Sequence, residues 1–123
     1  MESMDEPVAA VYAALANETR LRCLNLVVHN RDVCVCEAVA ALEISQPAAS
    51  KAMGALKSAG LLAARRDANW TYFSLRRALP GWLAQVVKAT AAELESRQPY
   101  RDDQRRFEAL NLRSRASDEK LAS

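Results

Sequence analysis

The chain has 123 residues, half of them hydrophobic and 26% charged, the balance of a folded domain and not of a disordered chain. Its length allows one domain. Its net charge of +2 and pI near 8.6 are only weakly basic. No stretch approaches the roughly eighteen apolar residues of a membrane span, and the N-terminal MESMDEP is acidic where a secretion signal is basic, so the reading is cytoplasmic with no membrane partner. Three cysteines (Cys23, Cys34, Cys36) do not form a disulfide framework in such a chain. His29 is the only histidine, which argues against a site needing two imidazoles, and three glycines exclude a glycine-rich phosphate loop.

In chain order, PVAAVYAALA places apolar residues at 8, 11, 12 and 15 and predicts a helix with one apolar stripe. Asn17 caps a second helix, on which Leu21, Leu24 and Val28 face the core until Asn30-Arg31-Asp32 breaks the pattern. A third helix is predicted from Val33 to Leu42. Ser45 then caps a fourth, from Gln46 to about Ala59, with Pro47 in its first turn and Gly60 at its C-terminal end. Helices three and four, joined by a short turn, fit a helix-turn-helix. LLAARR and WTYFSLR flank Asp67-Ala68-Asn69 and read as a β-hairpin. Pro80 opens a fifth helix with a broad apolar face including Trp82, Leu83, Val86, Val87 and Leu94. From Arg97 to Ser123 charges dominate, and this stretch reads as a partly disordered tail appended to a domain of residues 1–96. The fold class is mainly α with a β-hairpin wing, a winged helix-turn-helix of order α-α-α-α-β-β-α. The first and last helices carry more apolar surface than so small a domain buries, so a dimer through them is expected.

On a helical wheel from Gln46, Ala49, Met53 and Leu56 point inward, and Gln46, Ser50 and Lys51 lie on the open side. Gln and Ser can hydrogen-bond base edges, and Lys51 can meet a phosphate or guanine. Arg65 and Arg66 on the hairpin add phosphate or minor-groove contacts. Cys34-Val35-Cys36 is a C-x-C pair. Residues two apart on a regular helix point about 200° away from each other, so the two thiols meet only where the backbone is extended, as at a helix start. A helix start also favours thiolates through its free amides and dipole, and soft thiolates select thiophilic centres.

Four segments, LANETRLRCL, VCVCEAVAAL, SQPAASKAMGALKSAGLL and RRDANWTYFSL, together resemble the ArsR/SmtB family of metal-responsive repressors over about residues 8 to 96. VCVCEAVAAL is similar to the ELCVCDL element of arsenite and antimonite sensors. The resemblance implies a homodimeric repressor of double-stranded operator DNA that reads an inverted repeat, with Ser45, Gln46, Ser50, Lys51, Arg65, Arg66 and Asn69 at the DNA and no enzymatic activity. It implies As(III) or Sb(III) as inducer on Cys34 and Cys36, whose capture distorts the third helix and shifts the reading helix. Two departures accompany it. Val39 stands where a third cysteine is common, leaving Cys23 or a non-protein group, such as the substituent of an organoarsenical, as third ligand. Asn69 stands in a wing where a glycine is frequent and is expected to take the left-handed turn position. The last-helix zinc site of other family members is absent, since Trp82 to Leu94 holds no His or Asp. The alternative on the same fold is a thiol redox or persulfide-responsive repressor. An enzyme would need a base beside a reactive cysteine, and His29 reads as a surface residue at a helix end.

Overall fold

A computed structural model describes the backbone of residues 8–122 and the side chains of residues 8–111. The elements run α1 (Val8–Leu15), α2 (Glu18–Asn30), β1 (Asp32–Cys34), α3 (Val35–Leu42), α4 (Gln46–Ser58), β2 (Leu62–Asp67), β3 (Trp70–Leu75), α5 (Gly81–Leu94) and α6 (Tyr100–Ala122). The three strands form one antiparallel sheet in the order β1-β3-β2. This is a winged helix: α2, α3 and α4 share one core with the inner face of the sheet, and β2–β3 project as the wing. Among the described residues no helix is long and apolar enough to cross a membrane.

Local chemistry sets the helix ends. The Asn17 side chain accepts from the Arg20 amide at 3.0 Å, and Ser45 Oγ accepts from the Ala48 amide at 3.2 Å. At the far end of α4, Gly60 takes φ 89°, and the amides of Gly60 and Leu61 donate to the carbonyls of Lys57 and Leu56 at 3.0 Å each. That double bond is the Schellman arrangement, which a residue without Cβ adopts at least cost. Between these caps α4 buries Ala49, Ala52, Met53 and Leu56, each of the two larger ones contributing about 2 kcal/mol of transfer free energy.

Three features depart from the expectations above. The third helix starts at Val35, because Asp32–Cys34 pairs with β3 (Asp32 with Ser74, Val33 with Phe73, Cys34 with Tyr72) as a strand. Val33 and Phe73 are both buried by that pairing. At the tip of the wing the left-handed residue is Ala68 (φ 56°) and not Asn69.

The third departure is the charged segment after Arg97, which is helical from Tyr100, and its first turns are part of the domain. Tyr100 and Phe107 are buried and Leu110 packs against the core. Asp103 is 1% exposed and takes a bidentate ion pair from Arg22, Nη2 to Oδ1 at 2.7 Å and Nε to Oδ2 at 2.9 Å. Hydrogen bonding to Asp103 holds the Arg22 guanidinium more firmly protonated than usual. Arg22 also donates to the Leu42 carbonyl at 2.8 Å, and Arg106 bridges Asp103 (2.9 Å) and the Ala41 carbonyl (2.6 Å). Two carbonyls left open at the C-terminal end of α3 are thereby satisfied. Composition marked this segment as solvent-facing because its apolar residues are few. Its buried charge is stable only because its partners sit on other elements.

Two outcomes follow. Asp103→Ala strands two guanidinium groups beside buried carbonyls and should cost about 3–5 kcal/mol in urea unfolding, whereas loss of an exposed pair would cost under about 1 kcal/mol. Ala68→Gly relieves a left-handed Cβ and should raise stability by about 1 kcal/mol with the urea m-value unchanged.

Candidate nucleic-acid interface and thiol pair

Helix α4 presents Gln46, Ser50 and Lys51 to solvent along the side opposite its buried stripe, as the wheel places them. Ser45 is exposed at the N-cap, its Oγ engaged by the Ala48 amide. The exposed side has two flanks. Lys51 borders a shallow cleft against Asn17, Thr19 and Arg20 at the start of α2. Gln46 and Ser50 border another cleft, across which lie Arg66 and Asn69 of the wing.

The two wing arginines have different surroundings, because neighbours along a strand alternate in direction. Arg65 pairs with Asp32 on β1, lies 3.6 Å from Asp67, and stacks its guanidinium 4.8 Å over the Tyr72 ring. Those contacts tie the wing to β1, and hydrogen bonding to Asp32 raises the Arg65 pKa further. Arg66 is exposed and makes no ion pair among the described residues. A cationic, hydrogen-bonding, ridge-and-groove surface of this kind meets the demands of a duplex: a helix for the major groove and a cation for the backbone.

The thiol pair lies at the junction of β1 and α3. Cys34 ends the strand with extended φ −76° and ψ 147° and is the N-cap of α3, and Cys36 lies in the first turn. Extended backbone at one member and helix at the other cancel the divergence of a regular helix, and the two Sγ atoms approach to 2.8 Å. Cys34 is 3% exposed and Cys36 is exposed.

The helix start does not lower Cys36 as expected. Partial desolvation of its sulfur pushes Cys36 up to about 11, helped by its hydrogen bond to Cys34 and by the nearby Cys34 and Glu37 charges. The Glu37 carboxylate accepts from the Cys34 amide at 2.8 Å, so a negative charge already occupies the helix end. Cys23 lies elsewhere: it is fully buried in α2, with burial pushing its thiol up to about 12. Among the described residues no group of three or more His, Cys, Asp or Glu side chains could hold a metal ion. The pair offers two sulfur ligands, so a thiophilic centre held there would take its remaining ligand from outside this group.

The thiol pair opens into the same cleft of about 300 Å³ that Gln46 and Ser50 share with Arg66 and Asn69. Trp70 and Thr71 of the wing also line it, and Trp70 is 52% exposed. Neither residue was legible as a site residue. An aromatic in a hairpin reads as strand propensity, and its place on the cleft depends on how the wing sits against α4.

The model of the family described as "Bacterial regulatory protein, arsR family" matches residues 17–64, from the Asn17 cap through α4 into the wing. The arsenic resistance transcriptional regulators ArsR1 and ArsR2 of Pseudomonas putida are each 38% identical to the chain. The match to ArsR1 runs over 78 residues, 63% of this chain and 61% of that protein, which is less than two thirds of its length. The match to ArsR2 runs over 80 residues, 65% of this chain and 70% of that protein. Among solved structures, the homodimeric winged helix-turn-helix DNA-binding domain of Mb0332 from Mycobacterium bovis, a possible ArsR-family transcriptional regulator, superposes with a TM-score of 0.59. It shows 25% identity and covers 81% of this chain and 95% of that one. These likenesses are to regulators and to no enzyme. With the cap and the reading helix falling inside the matched segment, the chain belongs to the arsR family of bacterial regulatory proteins.

Proposed function

We propose that the chain is a cytoplasmic, homodimeric repressor that holds double-stranded operator DNA and releases it when Cys34 and Cys36 capture As(III), Sb(III) or an arsenical with one organic substituent. The observation that carries this reading is the 2.8 Å approach of two free thiols beside the reading helix. The Pseudomonas putida relatives, arsenic resistance transcriptional regulators, support the class of inducer.

In this reading Gln46 and Ser50 meet base edges, Lys51 and Arg66 meet phosphates, and Asn69 adds a wing contact. Ser45 holds the start of α4, and Arg65 braces the wing against Asp32. The homodimeric Mb0332 domain supports assembly in pairs. So does the surface of α1 and α5, where Val8 and Tyr12 are half exposed and Tyr12 stacks on Trp82 with ring centroids 6.4 Å apart. A second copy covering these rings removes their apolar surface from water.

Capture needs no oxidant. Each thiol gives its proton to a hydroxyl leaving the trivalent arsenic, so two S–As bonds form, two As–O bonds break and two waters depart. Arsenite then keeps one hydroxyl and a monosubstituted arsenical keeps its organic group, matching a site of two protein thiols. Because Cys34 is the N-cap of α3 and α3 packs on α4, a bridge between the two sulfurs fixes the helix start beside the reading helix.

Fluorescence-anisotropy titration of reduced protein on its own promoter DNA tests the reading, with arsenite, phenylarsine oxide and hydrogen peroxide added in turn. Release by arsenite or phenylarsine oxide at near-stoichiometric concentration is expected. Release by peroxide alone would replace the reading with a redox repressor. Cys36→Ser, an exposed substitution, should leave DNA affinity within about twofold and raise the arsenical needed for release ~100-fold, since one thiol loses the chelate. Alkylation of Cys36 by iodoacetamide should rise ~tenfold per pH unit from pH 7 to pH 10, following a thiolate that forms only near pH 11. A rate already level at pH 8 would show a thiol lowered by the helix start.

A further inference from the structure

The thiol pair and the wing-side flank of the reading helix are walls of one cleft. Cys34 and Cys36 stand at one end, Gln46 and Ser50 on the α4 side, and Arg66 and Asn69 on the wing side. The sheet register builds the wing wall of this cleft. Thr71 pairs with Arg66, and Phe73 pairs with both Ala64 and Val33, so these side chains share one face. Phe73 is buried against the core, and Thr71 and Arg66 continue that face outward beside α4. Strand β1 runs along the other edge of β3, where Cys34 pairs with Tyr72, and the turn from β1 into α3 brings Cys34, Val35 and Cys36 to the end of the cleft.

We infer that bound DNA occupies this cleft and covers the two thiols, so DNA and any thiol-bound group exclude each other by direct occupancy and not only through movement of α3. Charge and chemistry favour DNA as the occupant. Arg66 is exposed without an ion pair among the described residues, and Gln46, Ser50 and Asn69 supply neutral donors and acceptors. A duplex engaging Gln46 and Ser50 on one wall and Arg66 on the other spans the mouth of the cleft, where Cys36 is exposed. An adduct on the sulfurs fills the space that the duplex edge needs. The reverse also follows: protein on its operator hides its thiols, and the inducer captures the fraction that has left. This inference rests on the DNA-binding half of the proposed function and needs no arsenic for its test.

The experiment measures the rate of N-ethylmaleimide addition to Cys36, followed by peptide mass spectrometry, in full-length reduced protein titrated with the promoter duplex. Anisotropy on the same samples gives the bound fraction. The rate should fall in proportion to free protein, ~20-fold when free DNA stands at about 20 times its Kd. Protein alkylated at Cys36 beforehand should bind the duplex more weakly as the adduct grows, from S-methyl to N-ethylsuccinimide. A rate that levels off at a DNA-independent floor would overturn the inference, because it shows a complex in which the thiol stays open. Equal DNA affinity for the two adducts would overturn it too. No binding of the duplex at all would overturn the proposed function as well, and the anisotropy distinguishes that failure from the others.

Discussion

The pairing of β1 with β3 is the constraint on which the site depends. Three residues, Asp32 to Cys34, are held extended by a neighbouring strand immediately before a helix begins. Without that pairing, a C-x-C sequence continues as helix and its side chains diverge. With it, the backbone changes from extended to helical between the two cysteines, and their sulfurs come within 2.8 Å. Val33, buried against Phe73, anchors the strand, and the Asp32–Arg65 ion pair ties its outer end to the wing. A single short strand thus sets the thiol geometry and braces the element that flanks the DNA-reading helix.

Helix α3 is held at both ends. Its first turn carries the thiols and takes the Glu37 carboxylate onto the Cys34 amide. Its last turn gives the Ala41 and Leu42 carbonyls to Arg106 and Arg22, which Asp103 holds in place. A helix of eight residues is too short to be stable by its own hydrogen bonds. Its position is therefore set by these end contacts and by packing on α4 and α6. A chemical change at the N-terminal end acts on an element whose other end is clamped, so displacement falls on the thiol end and on the neighbouring flank of α4.

The electrostatics at the site run against a simple account of reactive cysteines. Placement at a helix start ordinarily lowers a thiol, yet partial desolvation, the second thiol and Glu37 outweigh it at Cys36. Such a pair holds Cys36 as a poor nucleophile toward ordinary electrophiles at neutral pH. It suits a partner that binds two sulfurs at once, because chelation supplies what the low thiolate fraction withholds. The same chemistry leaves Cys23 inert in the core, where its contribution is packing.

Much of this protein was determined by local sequence. The Asn17 and Ser45 caps, the Gly60 stop, the inward stripe of Ala49, Met53 and Leu56, and the hairpin are each set by residues within a few positions of one another. The exposed row of Gln46, Ser50 and Lys51 follows from the same helical period. Tertiary structure alone decided four other features. Strand β1 is too short to carry a pattern and exists because Phe73 lies forty residues away to receive Val33. The left-handed position fell on Ala68, since hairpin register and not residue preference chooses which turn residue bears it. The charged segment became a packed helix because Arg22, from α2, neutralises Asp103. The common cleft of thiols, reading helix and wing arose where three distant segments converge, which no local spacing encodes. Helical and turn preferences act over a few residues, whereas charge burial and sheet pairing are satisfied only by partners that folding brings from far along the chain.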